Sequence, residues 1–242
     1  MTRPDQVRLL AALETTWPAA GYIKHGAWTL RKGLGGGKRV SAATSATAVT
    51  DLQISEAETG MLGLDQAPLF MITDADQHDT LLEARGYDIV EPVTLYLAKT
   101  DALTGPLAVT AAIASWPPLA VQNEIWAKGG ITAPRVAVME RVSCPKTGIL
   151  GRFGDLPAGS AFVACDDGIG FLHALEVIAD QRRNGVGRNL VTAAANWAMA
   201  EGAEWLALAV TTANLAANQL YQSLGMTPAG FYHYRRAPES AK

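Results

Sequence analysis

The chain is poor in the residues that build metal centres and disulfide frameworks. Its 242 residues include two cysteines, Cys144 and Cys165, and four histidines, His25, His78, His173 and His233. Two thiols in a chain this long make no disulfide framework; free buried thiols in a reducing compartment are expected. Neither C-x-x-C nor H-x-x-x-H occurs, so no metal is expected. Charge is scarce as well. Only 18% of residues are charged and the net charge is −3, whereas a nucleic-acid binder carries a basic face. No apolar run approaches the length of a membrane span. The N-terminus opens with Arg3, Asp5 and Arg8 and lacks a signal-peptide core. The expectation is a soluble, cytoplasmic protein, monomer or homodimer, with no membrane and no nucleic-acid partner.

Apolar residues are plentiful, at 49%, enough for a sizeable core. Residues 5–17 carry Val7, Leu9, Leu10, Leu13 and Trp17 at helical spacing, and Pro18 ends the run. A strand is expected at 28–30. The glycine-rich run Gly33-Leu34-Gly35-Gly36-Gly37-Lys38 looks like a phosphate loop, but Arg39 stands where G-x-x-x-x-G-K-S/T needs a hydroxyl. It reads instead as a flexible hairpin turn into a second strand at 39–44. A helix over 51–62 with Asp51 as N-cap, a buried strand at 68–73, a helix over 74–85 closed by Gly86, and strands at 87–90 and 93–97 follow. Residues 100–106 have no periodicity and read as a linker. Beyond it come a helix over 119–127 with Trp126 inward, a strand at 135–142, a hairpin of 147–153 with 160–165, and a turn at 166–168. A buried strand at 203–210, a helix over 213–223 ended by Gly225, a last strand at 230–235 and a frayed tail at 238–242 complete the chain.

The stretch 170–188, GFLHALEVIADQRRNGVGR, organises the rest. Residues 171–178 suit a strand. Ala179, Asp180 and Gln181 turn into Arg182-Arg183-Asn184-Gly185-Val186-Gly187, and then Leu190, Val191, Ala194, Ala195, Trp197 and Ala198 recur at spacings of three and four. Strand, glycine-bearing turn, helix is an order that presents unpaired N–H groups to an anion. The glycines permit close backbone approach. Arg182, Arg183 and Arg188 add positive charge. The expected ligand is a pyrophosphate or similar diphosphate.

Arg182-x-x-Gly185-x-Gly187 resembles the central motif of the GCN5-related N-acetyltransferases, R/Q-x-x-G-x-G/A between a strand and a helix. Asn214-x-x-Ala217-x-x-Leu220-Tyr221-x-x-Leu224-Gly225-Met226 resembles that family's second signature, N-x-x-A-x-x-L-Y-x-x-L-G-F/M. The likeness covers roughly residues 147–236. It implies an α/β (α+β) fold, a mixed and mostly antiparallel sheet flanked by helices. It also implies an acyltransferase that uses acetyl-CoA to acetylate an amine: a small molecule, an amino acid or a peptide N-terminus. Ala179 departs from the family pattern, in which proline is common at that position.

By the same resemblance, Arg182, Arg183, Asn184, Gly185, Val186, Gly187 and Arg188 hold the pyrophosphate. The backbone of Val177 and Ala179 pairs with the pantetheine arm, and Asn214 and Ala217 adjoin the cofactor. Asn214 reads equally as a helix N-cap, and Val177 is core as well. Tyr221 is the candidate general acid, matched by its phenol to a leaving thiolate; a tyrosine packed at a helix end is the other reading. Glu176 alternates with Leu172, Ala174 and Ile178 and is the candidate general base, or else a strand-end carboxylate paired with an arginine. His173 falls on the opposite face with Phe171, Leu175 and Val177, as a satisfied histidine. Tyr232, His233 and Tyr234 either pack or line the acceptor site. A non-catalytic acyl-CoA-binding or sensor protein is the alternative function. A dinucleotide oxidoreductase is disfavoured because G-x-G-x-x-G is missing.

Residues 81–87, LLEARGY, resemble 220–226, LYQSLGM: each ends a helix at glycine before a strand. This weak repeat suggests two tandem halves, a degenerate one at 1–100 and a catalytic one at 107–242; unrelated α/β segments of one larger domain are the other reading. Leu82 stands in the first where Tyr221 stands in the second.

Overall fold

A computed structural model describes residues 2–73 and 78–238. The helices are α1 (Gln6–Thr16), α2 (Asp51–Leu62), α3 (His78–Ala84), α4 (Ala120–Lys128), α5 (Ala133–Arg141), α6 (Val186–Ala200) and α7 (Leu215–Ser223). The strands are β1 (Gly21–His25), β2 (Trp28–Lys32), β3 (Thr44–Ser45), β4 (Leu69–Thr73), β5 (Asp88–Lys99), β6 (Ala112–Ser115), β7 (Lys146–Phe153), β8 (Leu156–Asp166), β9 (Ile169–Val177), β10 (Trp205–Thr211) and β11 (Thr227–Arg236). The α/β class and the mostly antiparallel pairing agree with expectation. No helix among the described residues is long and apolar enough to cross a membrane.

The chain divides into two compact units. The larger comprises Met1–Pro18, Leu95–Val210 and Asn214–Gly230; the smaller comprises Ala19–Thr94, Thr211–Ala213 and Phe231–Lys242. Three of the boundaries fall in regular secondary structure, inside β5, β10 and β11. Residues 100–106 carry neither helix nor strand, yet Leu103 is buried in the larger unit's core.

In the larger unit the strand order is β5-β10-β9-β8-β7-β6. β6, β7, β8 and β9 pair antiparallel in sequence, and β9 pairs parallel with β10. α6 covers one face. Its stripe of Leu190, Val191, Ala194, Ala195 and Ala198 packs on Ile149, Ala161, Val163, Leu172, Leu206 and Leu208. The small residues of the stripe let the helix lie close: a Cβ on Gly170 would come within 2.7 Å of the Ala198 methyl. α1 and α4 lie against β8 and β9 on the other face. There Trp17 meets Phe162 edge-on, and its ring lies 5.0 Å from that of His173 at a tilt of 30°.

The smaller unit holds the antiparallel sheet β1-β2-β3 and the pairing of β4 with Tyr232–Arg236 of β11. Trp28, Leu30, Ile54, Met61, Phe70, Ile72 and Leu82 form its core. The β11 guanidinium of Arg235 is buried. It grips Asp79 through Nε at 2.7 Å and Nη2 at 3.0 Å, and Nη1 donates to the Tyr87 carbonyl at 2.9 Å.

Several expected elements differ. Residues 135–141 belong to a helix, with Val142 as its C-cap, and not to a strand. Thr132 precedes the helix, Pro134 sits in its first turn, and Val138 with Met139 is buried. A further hairpin, β1 with β2, turns at Gly26, with φ +58°, while β2 and β3 pair antiparallel on either side of the glycine run. β1 escaped notice because its middle residues are exposed and show no apolar face. The glycine run leads into a 3₁₀ turn at Lys38–Val40, with only Thr44–Ser45 extended beyond it. The N-cap of α2 is Thr50, not Asp51. Its hydroxyl accepts from the Gln53 amide and the Gln53 side chain returns to the Thr50 amide, a reciprocal cap. Strands 87–90 and 93–97 are one strand, β5. The expected helix start at 74–77 and tail at 239–242 lie outside the described residues. Cys165 is buried and Cys144 half-buried, both as free thiols. The segments 81–87 and 220–226 close alike: Gly86 and Gly225 have φ of +78° and +82°, and Tyr87 and Met226 donate back to Leu82 and Tyr221 at 3.0 and 3.1 Å.

The Arg235–Asp79 pair makes a stability prediction. Hydrogen bonds from Arg235, then from His233, hold the Asp79 carboxyl below its usual range. A carboxyl depressed in the folded state stabilises above its unfolded value and loses that contribution as pH falls through the folded one. Asp79→Asn should therefore cost about 2 kcal/mol at pH 7, discounted because Asp79 is partly exposed, and progressively less as pH falls below the ordinary carboxylate range. Urea unfolding of the two proteins at pH 7 and at a series of lower pH values measures the difference.

Candidate active site

The site is built around a strand that loses a neighbour. β9 pairs with β10 only from Ile169↔Trp205 to Leu172↔Leu208, then runs on to Val177. At the point of parting β9 carries an extra residue. Opposite it, β8 pairs Phe162 with His173 and Ser160 with Glu176, so two steps on β8 answer three on β9. Ala174 takes up the insertion with φ +50°, a left-handed conformation uncommon outside glycine. The indole Nε1 of Trp126, from α4, donates to the Ala174 carbonyl at 2.8 Å and ties down the bulge.

The bulge changes which side chains share a face. Simple alternation groups Glu176 with Leu172, Ala174 and Ile178. With one residue inserted, Leu172, Leu175 and Val177 all join the α6 core, while Glu176 comes to the side of Phe171 and His173. The expected grouping for Glu176 and for His173 is thus corrected. His173 is the satisfied histidine anticipated: buried, stacked on Phe171, its Nε2 2.9 Å from the Thr16 hydroxyl of α1.

Glu176 has the arginine partner of the second reading. Arg182 Nη2 donates to its Oε1 at 3.2 Å, and Arg182 Nε donates to the Val177 carbonyl at 3.1 Å. Gly129, at the end of α4, packs directly on this carboxylate: a Cβ there would lie 2.6 Å from its atoms. The backbone expected to be open is therefore partly engaged, since the Val177 carbonyl holds Arg182. The next amide, of Ile178, donates to Ala158, and Ala179 opens a 3₁₀ turn, Ala179–Gln181, that leads into the loop.

Arg182, Arg183, Asn184 and Gly185 are exposed and deliver the chain to α6. Gly185 is the N-cap, with φ +78° and no atom within 4 Å of a Cβ placed on it, so conformation alone requires glycine there. Gly187 serves a different purpose. A Cβ on it would meet Leu220 of α7 at 3.1 Å and Val177 at 3.9 Å, so this glycine seats the start of α6 against α7 and β9. Val186 is buried beneath the turn, while Arg188 is exposed and donates to the Ser223 hydroxyl at 3.3 Å. The first amides of α6 have no carbonyl within their own helix to pair with, and exposed arginines at 182, 183 and 188 flank them in the chain.

α7 begins at Asn214, whose side chain caps it by accepting from the Ala217 amide at 3.2 Å. The N-cap reading of Asn214 is realised. Ala217 packs against the core. Tyr221, one helix turn further, is 6% exposed, and burial pushes its hydroxyl well above the ordinary tyrosine range. Its ring lies 6.0 Å from that of Tyr96 on β5. Sequence reasoning missed Tyr96. Its hydroxyl donates to Asn218 Oδ1 at 3.1 Å and accepts from Gln222 Nε2 at 2.9 Å, which fixes α7 to β5 on either side of Tyr221. Nothing in the sequence around Tyr96 signalled this, since its partners lie more than a hundred residues away. Tyr232, His233 and Tyr234 belong to the smaller unit, where the two tyrosines are buried and His233 pairs with Asp79 at 2.9 Å.

Residues 143–226 match the model of the Acetyltransferase (GNAT) family. The chain is 37% identical over 73 residues to the uncharacterized N-acetyltransferase YobR of Bacillus subtilis (strain 168), a stretch that spans 30% of each protein. Its fold is similar to that of a GCN5-related N-acetyltransferase from Kribbella flavida, with a TM-score of 0.72 at 17% identity, covering 96% of this chain and 95% of that one. It is also similar, at a TM-score of 0.58 and 10% identity, to a tandem GNAT protein from the clavulanic acid biosynthesis pathway, covering 82% of this chain and 76% of the other. Residues 143–226 thus carry a stretch that matches the acetyltransferase (GNAT) family, and the fold of the chain is similar to that of a GCN5-related N-acetyltransferase over nearly its whole length.

Proposed function

We propose that the protein is an N-acetyltransferase that moves an acetyl group from acetyl-CoA to an amine, which is a small molecule, an amino acid or a peptide N-terminus. One observation carries this reading. β9 parts from β10 after Leu172 and leads straight into an arginine-rich turn whose αL glycine starts α6. A strand edge beside a cationic helix N-terminus suits an extended ligand that ends in a diphosphate. The residues present fit that ligand: exposed arginines at 182, 183 and 188, and unpaired amides at the start of the helix.

When bound, acetyl-CoA supplies the thioester and the thiolate leaving group. The chain's own residues do the rest. The amides of Val186, Gly187 and Arg188 bind the diphosphate, with Arg183 and Arg188 beside them. The backbone of β9 about Val177 orients the arm. Tyr221 holds a proton on its phenol; burial keeps it there across the physiological range, so it is available to the departing sulfur. Glu176 accepts the proton lost by the amine, directly or through water. Asn214 and Ala217 set the start of α7 and hence the position of Tyr221. The smaller unit, which lacks both the glycine turn and a counterpart of the Tyr221 hydroxyl, serves a structural role.

Two experiments test this. Calorimetric titration should give micromolar binding of acetyl-CoA and none of NADH. Gly185→Glu, which adds strain and a negative charge at the helix start, should abolish the binding. If acetyl-CoA does not bind the native protein, the enzyme reading fails. With an acceptor identified by thiol release from a panel of amines, Tyr221→Phe should lower kcat by about 100-fold with little change in acetyl-CoA affinity. Because burial raises the phenol, the native enzyme should show no loss of rate from Tyr221 ionisation up to about pH 10. Unchanged turnover in Tyr221→Phe would favour a different acid and, with no turnover in either protein, the binding-only alternative.

A further inference from the structure

Arg182 occupies the first position of the glycine turn, yet its guanidinium points back at β9. Nε donates to the Val177 carbonyl at 3.1 Å and Nη2 to Glu176 Oε1 at 3.2 Å. These are two groups the proposed reaction uses, one for the cofactor arm and one for the amine. The contact is built to be given up. The Arg182 side chain is 61% exposed, against 22% for Glu176, and a single N–H reaches the carboxylate where a guanidinium can offer a bidentate fork. On its other side the carboxylate is walled by Gly129, where even a methyl group would collide with it. Arg182 is therefore the movable wall and Gly129 the fixed one. A diphosphate at the start of α6, a few residues along the chain, is a stronger partner for the same guanidinium than a single-bonded carboxylate.

We infer that Arg182 is a cation shared between two subsites: without cofactor it masks Glu176 and the Val177 carbonyl, and the CoA diphosphate draws it away and opens the carboxylate to a cationic amine. The inference rests on the acetyl-CoA reading above. It makes the acceptor a protonated amine that binds after the cofactor, and it makes Arg182 a positioning residue as well as a ligand. By reciprocity, the energy that holds Arg182 on Glu176 is subtracted from the energy of cofactor binding.

The test uses CoA itself as the probe, titrated calorimetrically into the full-length native protein, Glu176→Gln, Arg182→Gln and the double variant. Glu176→Gln should bind CoA about 5-fold more tightly, because it releases the shared cation. Arg182→Gln should bind about 10-fold more weakly. In the Arg182→Gln background, Glu176→Gln should change nothing. Tighter binding in both backgrounds would mean that removal of a negative charge acts at long range, and would overturn the shared cation. Unchanged or weaker binding by Glu176→Gln alone would overturn it too, while leaving the cofactor reading intact. Absence of CoA binding by the native protein would overturn both. Both side chains are partly exposed, so the variants should keep the native circular dichroism and thermal midpoint, and these serve as the control for folding.

Discussion

A backbone that leaves its ladder must satisfy its polar groups elsewhere, and β9 does so within the space of five residues. Past Leu172 it has no partner in β10, and the groups so released are taken by a tryptophan indole, by an arginine and, in the proposed complex, by the ligand. The other features of the site depend on this parting. The bulge at Ala174 sends Glu176 to one face and keeps Leu175 and Val177 on the α6 core. The start of α6 can then rest on Val177 and on Leu220 of α7 through the side-chain-free Gly187. Strand, turn and two helices are joined by one small patch of contacts.

Two kinds of order meet there. The α6 face is apolar and closely packed, and it holds Tyr221 without exposing it. The α1 and α4 face mixes rings with buried polar groups, among them His173, Ser160 and Gln122, the last donating to Ser160 at 3.4 Å. In the proposed mechanism the acid, Tyr221, belongs to the first environment and the carboxylate of Glu176 to the rim of the second, beside Arg182.

The sequence made the central turn legible because its signals are local. A run of apolar residues, two glycines with three arginines, and a stripe at spacings of three and four each act within a few residues of the chain, and β9, the turn and α6 appear where they were expected. The helix-ending glycines at 86 and 225 were legible for the same reason. What stayed hidden is set by tertiary contacts. The bulge rests on an alanine at positive φ, which carries no composition signal; Trp126 and the β8 register impose it. The helix at 133–141 is short, and its burial is confined to Val138 and Met139, so its period is weakly marked in the sequence. The Tyr96 clamp joins residues whose partnership no local pattern reveals.

Trp126 gives the bulge an optical handle. Its indole is fully buried and its N–H is fixed to the carbonyl of the one residue at which β9 leaves regular geometry. The excited state of an indole responds to the polarity and hydrogen bonding around that N–H. Any event that straightens or shifts the strand at Ala174 is thereby written into the emission of a chromophore the protein already carries, with no label placed in the cleft.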